Sequence, residues 1–159
     1  MIRWLIVAAL LLALPASAAE PQPFGRGSWQ ALRQAHGGRP TIVHFWGLTC
    51  GPCLVELPRW GELLRERPDV DLVLVAADPI PEEPARAAGT LAKAGLAEAE
   101  SWMFADLFNE RLRYEVDPRW RGELPRTLLI DRSGTVEVLP GVADLARVRR
   151  WLAEQARAG

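Results

Sequence analysis

The sequence predicts an α/β protein, and three observations lead to that prediction. An apolar run at 41–46 is followed by an amphipathic helical pattern and a second apolar run at 71–77, the arrangement of a parallel β-α-β unit. Two further apolar runs, at 127–131 and 135–139, are separated by a turn sequence and predict an antiparallel hairpin. After Asp144, a predicted N-cap, apolar residues recur at helical spacing and predict a closing amphipathic helix.

The first 18 residues predict a secretory signal peptide. Arg3 provides a short positive region, an apolar run follows from Trp4 to Leu14, and Ala16-Ser17-Ala18 is a small-residue cleavage site. The run is too short for a bilayer core of roughly 30 Å, which needs about 20 residues. We therefore expect cleavage and export to a bacterial periplasm, with an uncleaved membrane anchor as the less favoured alternative.

Residues 19–40 are predicted as a lead-in to a single domain at 41–159. Proline and glycine at 21–27 favour irregular structure, and Ser28 is the predicted N-cap of a short helix at 29–35. His36 follows this helix and is predicted as a solvated loop residue.

The charge of the chain does not indicate a nucleic-acid-binding protein. Its 19 basic residues nearly balance 20 acidic ones, for a formal net charge of −1. The one basic cluster, at 147–150, falls on a predicted helix and is interpreted as a solvated face.

The two cysteines of the chain occur together in the sequence Cys50-Gly51-Pro52-Cys53, between the first strand and its helix. A cysteine in the first turn of a helix faces unpaired N–H groups and the positive end of the helix dipole, which favour its thiolate. A thiolate attacks disulfides, and a second cysteine nearby can resolve the mixed disulfide. The pattern therefore predicts Cys50 as the attacking thiol and Cys53 as the buried, resolving thiol.

The middle of the chain predicts shorter elements around the same sheet. The helix after Cys53 is expected to reach about residue 67, a proline-rich loop at 78–84 precedes a helix at 85–94, and a short strand is predicted at 101–105. A brief helical turn at 109–114 leads to a polar, irregular segment at 115–124, in which Trp120 is interpreted as a loop anchor.

Taken together, these motifs resemble the thioredoxin superfamily and, within it, the exported TlpA/ResA-like thiol-disulfide oxidoreductases. The resemblance covers roughly residues 41–158. The residues that carry it are Phe45-Trp46 before the cysteine motif, Glu56 and Pro58 after it, Leu124-Pro125-Arg126-Thr127, and Ile130-Asp131 with Ser133-Gly134.

The resemblance implies a thioredoxin-like fold, with a central mixed β-sheet flanked by helices. It also implies that the Leu124–Pro125 peptide bond is cis and lies beside the two sulfurs. Finally, it places Glu56 near Cys53, where a shielded carboxylate could accept the proton of the resolving thiol.

Two positions depart from the family pattern. Thr49 stands where family members usually carry tryptophan, and His44 stands on the first strand where thioredoxins often place a buried carboxylate. His44 has two interpretations: a proton acceptor near Cys53, or a hydrogen-bonded core residue. The segment at 115–124 looks longer than the corresponding family connection and is expected to shape substrate entry.

The predicted function is a periplasmic thiol-disulfide oxidoreductase that reduces disulfides in protein substrates. By resemblance, a membrane electron-relay thiol protein would regenerate the dithiol, and we expect a monomer that needs no metal or organic cofactor. Two alternatives stay open: a disulfide oxidase or isomerase, because a very acidic thiol makes such a pair oxidising, and a copper-binding or delivery module, because thiolates suit Cu(I).

Overall fold

A computed structural model describes residues 19–80 and 82–158; the predicted signal peptide lies outside them. Within those ranges the chain forms six strands and five helices. In order they are β1 (Gln22–Phe24), α1 (Ser28–Ala35), β2 (Thr41–Trp46), α2 (Gly51–Glu66), β3 (Asp71–Ala76), α3 (Pro84–Lys93), β4 (Glu100–Phe104), α4 (Asn109–Val116), β5 (Arg126–Ile130), β6 (Val136–Pro140) and α5 (Leu145–Arg157).

The strands form one mixed sheet in the order β1-β4-β3-β2-β5-β6. The first four are parallel, whereas β5 is antiparallel to β2 and β6 is antiparallel to β5. This arrangement confirms the β-α-β unit, the hairpin and the mixed sheet. It also brings the start of β5 to the sheet edge at which β2 and β3 end.

Alternation along the strands divides the core into two layers. Ile42 and Trp46 pack with apolar residues of α2, α3 and α5 on one face of the sheet. Val43 and Phe45 pack with residues of α1 and α4 on the other face. Because side chains alternate with a period of two, His44 shares the face of Ile42 and Trp46, under α2.

Two details of the lead-in differ from expectation. Residues 22–24, expected to be irregular, form β1, which pairs with β4 and buries Phe24 against Phe104, with ring centroids 5.3 Å apart. Ser28 is the first residue of α1 rather than its N-cap; Gly27, at φ 80°, is the N-cap, and the Ser28 hydroxyl accepts from the Gly25 amide. The first difference depends on a partner far away in the sequence, since β4 lies about 80 residues after β1, whereas the second is a local arrangement around Gly25 and Ser28.

The prediction of a solvated His36 is wrong, because its side chain is buried between two carboxylates. Its Nδ1 lies 2.7 Å from Oδ2 of Asp71 and its Nε2 lies 3.1 Å from Oε2 of Glu100. These contacts tie the end of α1 to the starts of β3 and β4.

Trp120 is confirmed as an anchor of the segment between α4 and β5. Its ring packs edge-on against Phe45 at 4.8 Å and its indole N–H donates to the Glu123 carbonyl. Arg126 lies over the same ring and forms an ion pair with Asp117. No helix among the described residues is both long enough and apolar enough to cross a membrane.

Candidate active site

Cys50 and Cys53 form a disulfide at the N-terminus of α2, with their Cα atoms 5.2 Å apart. Cys50 is the N-cap residue, and its sulfur accepts a hydrogen bond from the Cys53 amide at 3.3 Å. Cys50 is partly exposed, whereas Cys53 is fully buried. An external reagent can therefore reach Cys50 more readily than Cys53.

The connection into β5 contributes to the same core cluster. The Leu124–Pro125 bond is cis, as the resemblance implied. Leu124 packs against the cluster that contains Cys53, with Cys50 at its margin, and Pro125 is buried.

Glu56 lies one turn after Cys53 on α2, where residues three apart share a face. Its side chain is 1 % exposed, and its Oε1 accepts a hydrogen bond from the Ala143 amide at 2.8 Å. Its Oε2 has no hydrogen-bond partner among the described residues. Burial raises the pKa of Glu56, against the smaller opposing effects of the Ala143 amide, the Trp60 indole and the charge of Arg59.

His44 is fully buried beneath α2. Its Nδ1 lies 3.0 Å from the hydroxyl of Thr127, its cross-strand partner on β5, and its ring packs against Trp60 at 5.0 Å. Burial lowers the pKa of His44 to about 3. The imidazole is therefore neutral at ordinary pH, and its environment fits the interpretation as a hydrogen-bonded core residue.

Asp78 is a site residue that the sequence reasoning missed. Its buried carboxylate accepts from the Leu48 and Thr49 amides and from the Thr49 hydroxyl, all within 3.0 Å. The available signal was an acidic residue soon after β3, because the carboxyl ends of adjacent parallel strands meet at one sheet edge. Thr49 thus directs its hydroxyl to Asp78.

An open groove of about 610 Å³ lies between α2, the helix that carries the cysteines, and α3. Leu48, Leu54 and Leu57 form its apolar side, while Arg86 and Lys93 contribute positive charge. The groove provides a surface along α2 with both apolar and basic character.

The described residues do not bring a metal-ligand cluster together: no group of three or more His, Cys, Asp or Glu side chains there could hold a metal ion. His44 contacts Thr127, and His36 contacts Asp71 and Glu100.

No protein-family model matches the chain, and no curated protein matches it. Solved structures do match. DsbF of Mycobacterium tuberculosis aligns with a TM-score of 0.61 and 21 % identity over 77 % of this chain and 84 % of that one. A secreted M. tuberculosis disulfide oxidoreductase homologous to E. coli DsbE aligns with a TM-score of 0.60 and 17 % identity over 76 % of this chain and 85 % of that one. StoA of Bacillus subtilis aligns with a TM-score of 0.54 and 21 % identity over 73 % of this chain and 84 % of that one.

These similarities, all at less than 25 % identity, confirm the expected thioredoxin-like fold. The site itself contains a two-electron couple, the Cys50–Cys53 disulfide and its dithiol form.

Proposed function

We propose that this chain is an exported, TlpA/ResA-like thiol-disulfide oxidoreductase that reduces disulfide bonds in protein substrates. The observation that carries the proposal is the unequal exposure of the Cys50–Cys53 pair at a helix N-terminus. Such a site presents one thiol to the substrate and shields the other. The structural similarity to a secreted M. tuberculosis disulfide oxidoreductase supports this chemistry.

In the first step the dithiol form of the protein reacts through Cys50. The Cys50 thiolate attacks one sulfur of the substrate disulfide, a mixed disulfide forms, and the other substrate sulfur leaves as a thiolate that takes up a proton. The Cys53 amide, which donates to the Cys50 sulfur, and the N-terminus of α2 stabilise the attacking thiolate.

In the second step Cys53 resolves the mixed disulfide. It loses its proton and attacks the Cys50 sulfur, which forms the intramolecular disulfide and releases the second substrate thiol. Two electrons and two protons have then passed to the substrate. The protein is left in the disulfide state seen in this structure.

Glu56 is the proton acceptor that we propose for Cys53. It lies one turn away on the same helix, its Oε1 is held by the Ala143 amide, and its raised pKa makes the carboxylate a stronger base than a solvated one. For His44 we propose a supporting role as a neutral core residue, since a pKa of about 3 makes it a weak proton acceptor. The placement of Pro125 beside a bound substrate is a proposal that rests on the resemblance.

The cell compartment and the partners complete the proposal. We propose export to the periplasm through a cleaved signal peptide at 1–18, regeneration by a membrane electron-relay thiol protein, and action as a monomer. The predicted signal sequence supports the first of these, and an external electron donor is needed because each turnover leaves Cys50 and Cys53 oxidised as a disulfide.

Insulin reduction with dithiothreitol as electron source tests the chemistry. Wild-type protein should accelerate the reaction, Cys50→Ser should abolish the acceleration, and Cys53→Ser should accumulate a mixed disulfide with insulin that non-reducing electrophoresis detects. Full activity of Cys50→Ser would refute the assignment of the nucleophile, and no acceleration by folded wild-type protein would refute reductase activity.

The reduction potential decides the direction of the reaction. Equilibration in glutathione or dithiothreitol buffers, followed by tryptophan fluorescence, measures it. A value below about −230 mV, more reducing than glutaredoxins, supports a reductase. A value near −120 mV, the strongly oxidising end of the known range, would instead indicate an oxidase.

A further inference from the structure

The loop between β2 and the cysteine motif is held by a single carboxylate. Asp78, which lies two residues beyond the end of β3, accepts the Leu48 amide at 2.9 Å, the Thr49 amide at 3.0 Å and the Thr49 hydroxyl at 3.0 Å. The side chain is buried and has no ion-pair partner among the described residues. All three contacts at this carboxylate are made by N–H or O–H donors.

The surroundings hold this carboxylate firmly in place. A Cβ atom added to Gly47 would lie 2.8 Å from Oδ1 of Asp78 and 3.2 Å from a methyl of Leu124, so glycine is required where the loop passes the carboxylate. On the other side, the Asn109 amide donates to the Asp78 main-chain carbonyl at 2.8 Å, which links the same residue to the start of α4.

We infer that Asp78 is a positioning residue that disfavours the Cys50 thiolate, with the Thr49 hydroxyl moderating its effect, and that Asp78 thereby keeps the Cys50–Cys53 pair reducing. The inference rests on the proposed function for its biological meaning. It concerns this chain's own Thr49, the position at which the sequence departs from the family pattern.

Two physical effects act in the same direction. The Asp78 anion is bound to the residue next to Cys50, and a like charge nearby opposes ionisation of a thiol. Asp78 also engages the amides of Leu48 and Thr49, so these N–H groups are not free to donate to the Cys50 sulfur. A less stable thiolate makes the reduced form less stable, which makes the pair a stronger reductant.

The Thr49 hydroxyl moderates this effect. By donating to Oδ1 it offsets part of the carboxylate charge. Removal of the carboxylate charge and removal of the hydroxyl therefore have opposite expected effects on Cys50. This difference in sign separates an electrostatic role from simple loosening of the loop.

The test measures the pH midpoint of Cys50 alkylation by iodoacetamide in the reduced full chain, together with the reduction potential. Asp78→Asn should lower the alkylation midpoint by about one pH unit, a tenfold change in the ionisation constant of the thiol and the lower end of the effect of a neighbouring charge. If the whole change stabilises the reduced form, it corresponds to a potential roughly 30 mV more oxidising. Thr49→Val should move the alkylation midpoint the other way, and Thr49→Ser, which keeps the hydroxyl, should retain the wild-type midpoint.

Asp131→Asn is the matched control, because Asp131 also accepts two amides and a hydroxyl, from Ser133 and Thr135, but after the far end of β5. It should leave both measurements unchanged. An unchanged midpoint in folded Asp78→Asn, or a shift of Thr49→Val in the same direction as Asp78→Asn, would overturn the inference. If Asp78→Asn does not fold, a Thr49→Val midpoint at or below the wild-type value overturns it. If wild-type protein does not reduce insulin, the proposed function is refuted, but the alkylation midpoints still test the effect of Asp78 on Cys50.

Discussion

Gly61 in the middle of α2 allows the helix that carries the cysteines to approach the end of α3. A Cβ atom added there would lie 2.0 Å from the Ala94 carbonyl oxygen and 3.2 Å from its carbon. Since ordinary contacts of this kind begin above 3 Å, Gly61→Ala requires the two backbones to separate by about 1 Å or more.

The expected effect on stability follows from two opposing contributions. Replacing glycine by alanine inside a helix normally stabilises it by about 0.5–1 kcal/mol. Overpacking of a rigid interior costs typically about 1–3 kcal/mol, and here the obstacle is backbone, which cannot move aside as a side chain can. With the overpacking cost at the upper end of that range, we expect Gly61→Ala to lower the free energy of unfolding by about 2 kcal/mol.

Gly89 in α3 provides the matched control. It also lies within a helix, but a Cβ atom added there meets nothing within 4 Å. Gly89→Ala should therefore raise the free energy of unfolding by about 0.5–1 kcal/mol.

Urea unfolding of the oxidised protein, followed by tryptophan fluorescence and analysed at constant m-value, measures both changes. The close approach of α2 to Ala94 predicts opposite signs for the two variants. A Gly61→Ala protein as stable as wild type, or stabilised like Gly89→Ala, would refute this reasoning.

Three further predictions concern buried ionisable groups. Glu56→Gln should slow resolution of the mixed disulfide, measured by quenched-flow with a model substrate, by about 10²-fold if Glu56 is the proton acceptor; an unchanged rate would exclude that role. The folded-state pKa of His44, about 3, lies below its unfolded value of 6.5. Burial of the neutral imidazole therefore contributes fully to stability above pH 6.5, and this contribution falls by about 1.4 kcal/mol per pH unit as the pH drops towards 3. Urea unfolding across this range should show that slope in wild type and lose it in His44→Leu. Asp117→Ala leaves the buried Arg126 guanidinium without its carboxylate and should lower the free energy of unfolding in urea by about 3 kcal/mol. Asp69→Ala, which removes an exposed ion pair with Arg67, should lower it by no more than about 1 kcal/mol. Equal losses of stability in the two variants would contradict the importance of burial.

The elements nearest the cysteine motif could be predicted from the sequence because their signals are local. A continuous run of apolar and β-branched residues marks β2, helical spacing marks α2, and the position of Cys50 at the junction follows from both. The cis bond before Pro125 came from the resemblance rather than from any local signal. The short strand β1 was missed because its pairing partner, β4, lies about 80 residues away.

The environment of each buried polar group was decided by the tertiary structure. Glu56 is buried because Ala143, 87 residues later, brings an amide to its carboxylate. His36 is enclosed because the starts of β3 and β4 place Asp71 and Glu100 on either side of it.

The sequence by itself determined which residues carry the redox chemistry and on which helix they lie, because residue type and periodicity are properties of neighbouring positions. Only the tertiary structure decided which groups surround that chemistry, because strand order brings the end of β3, with Asp78, beside the loop that precedes Cys50. Hydrogen bonds and charges act over a few ångströms in space, and the chain positions that meet there are far apart in sequence.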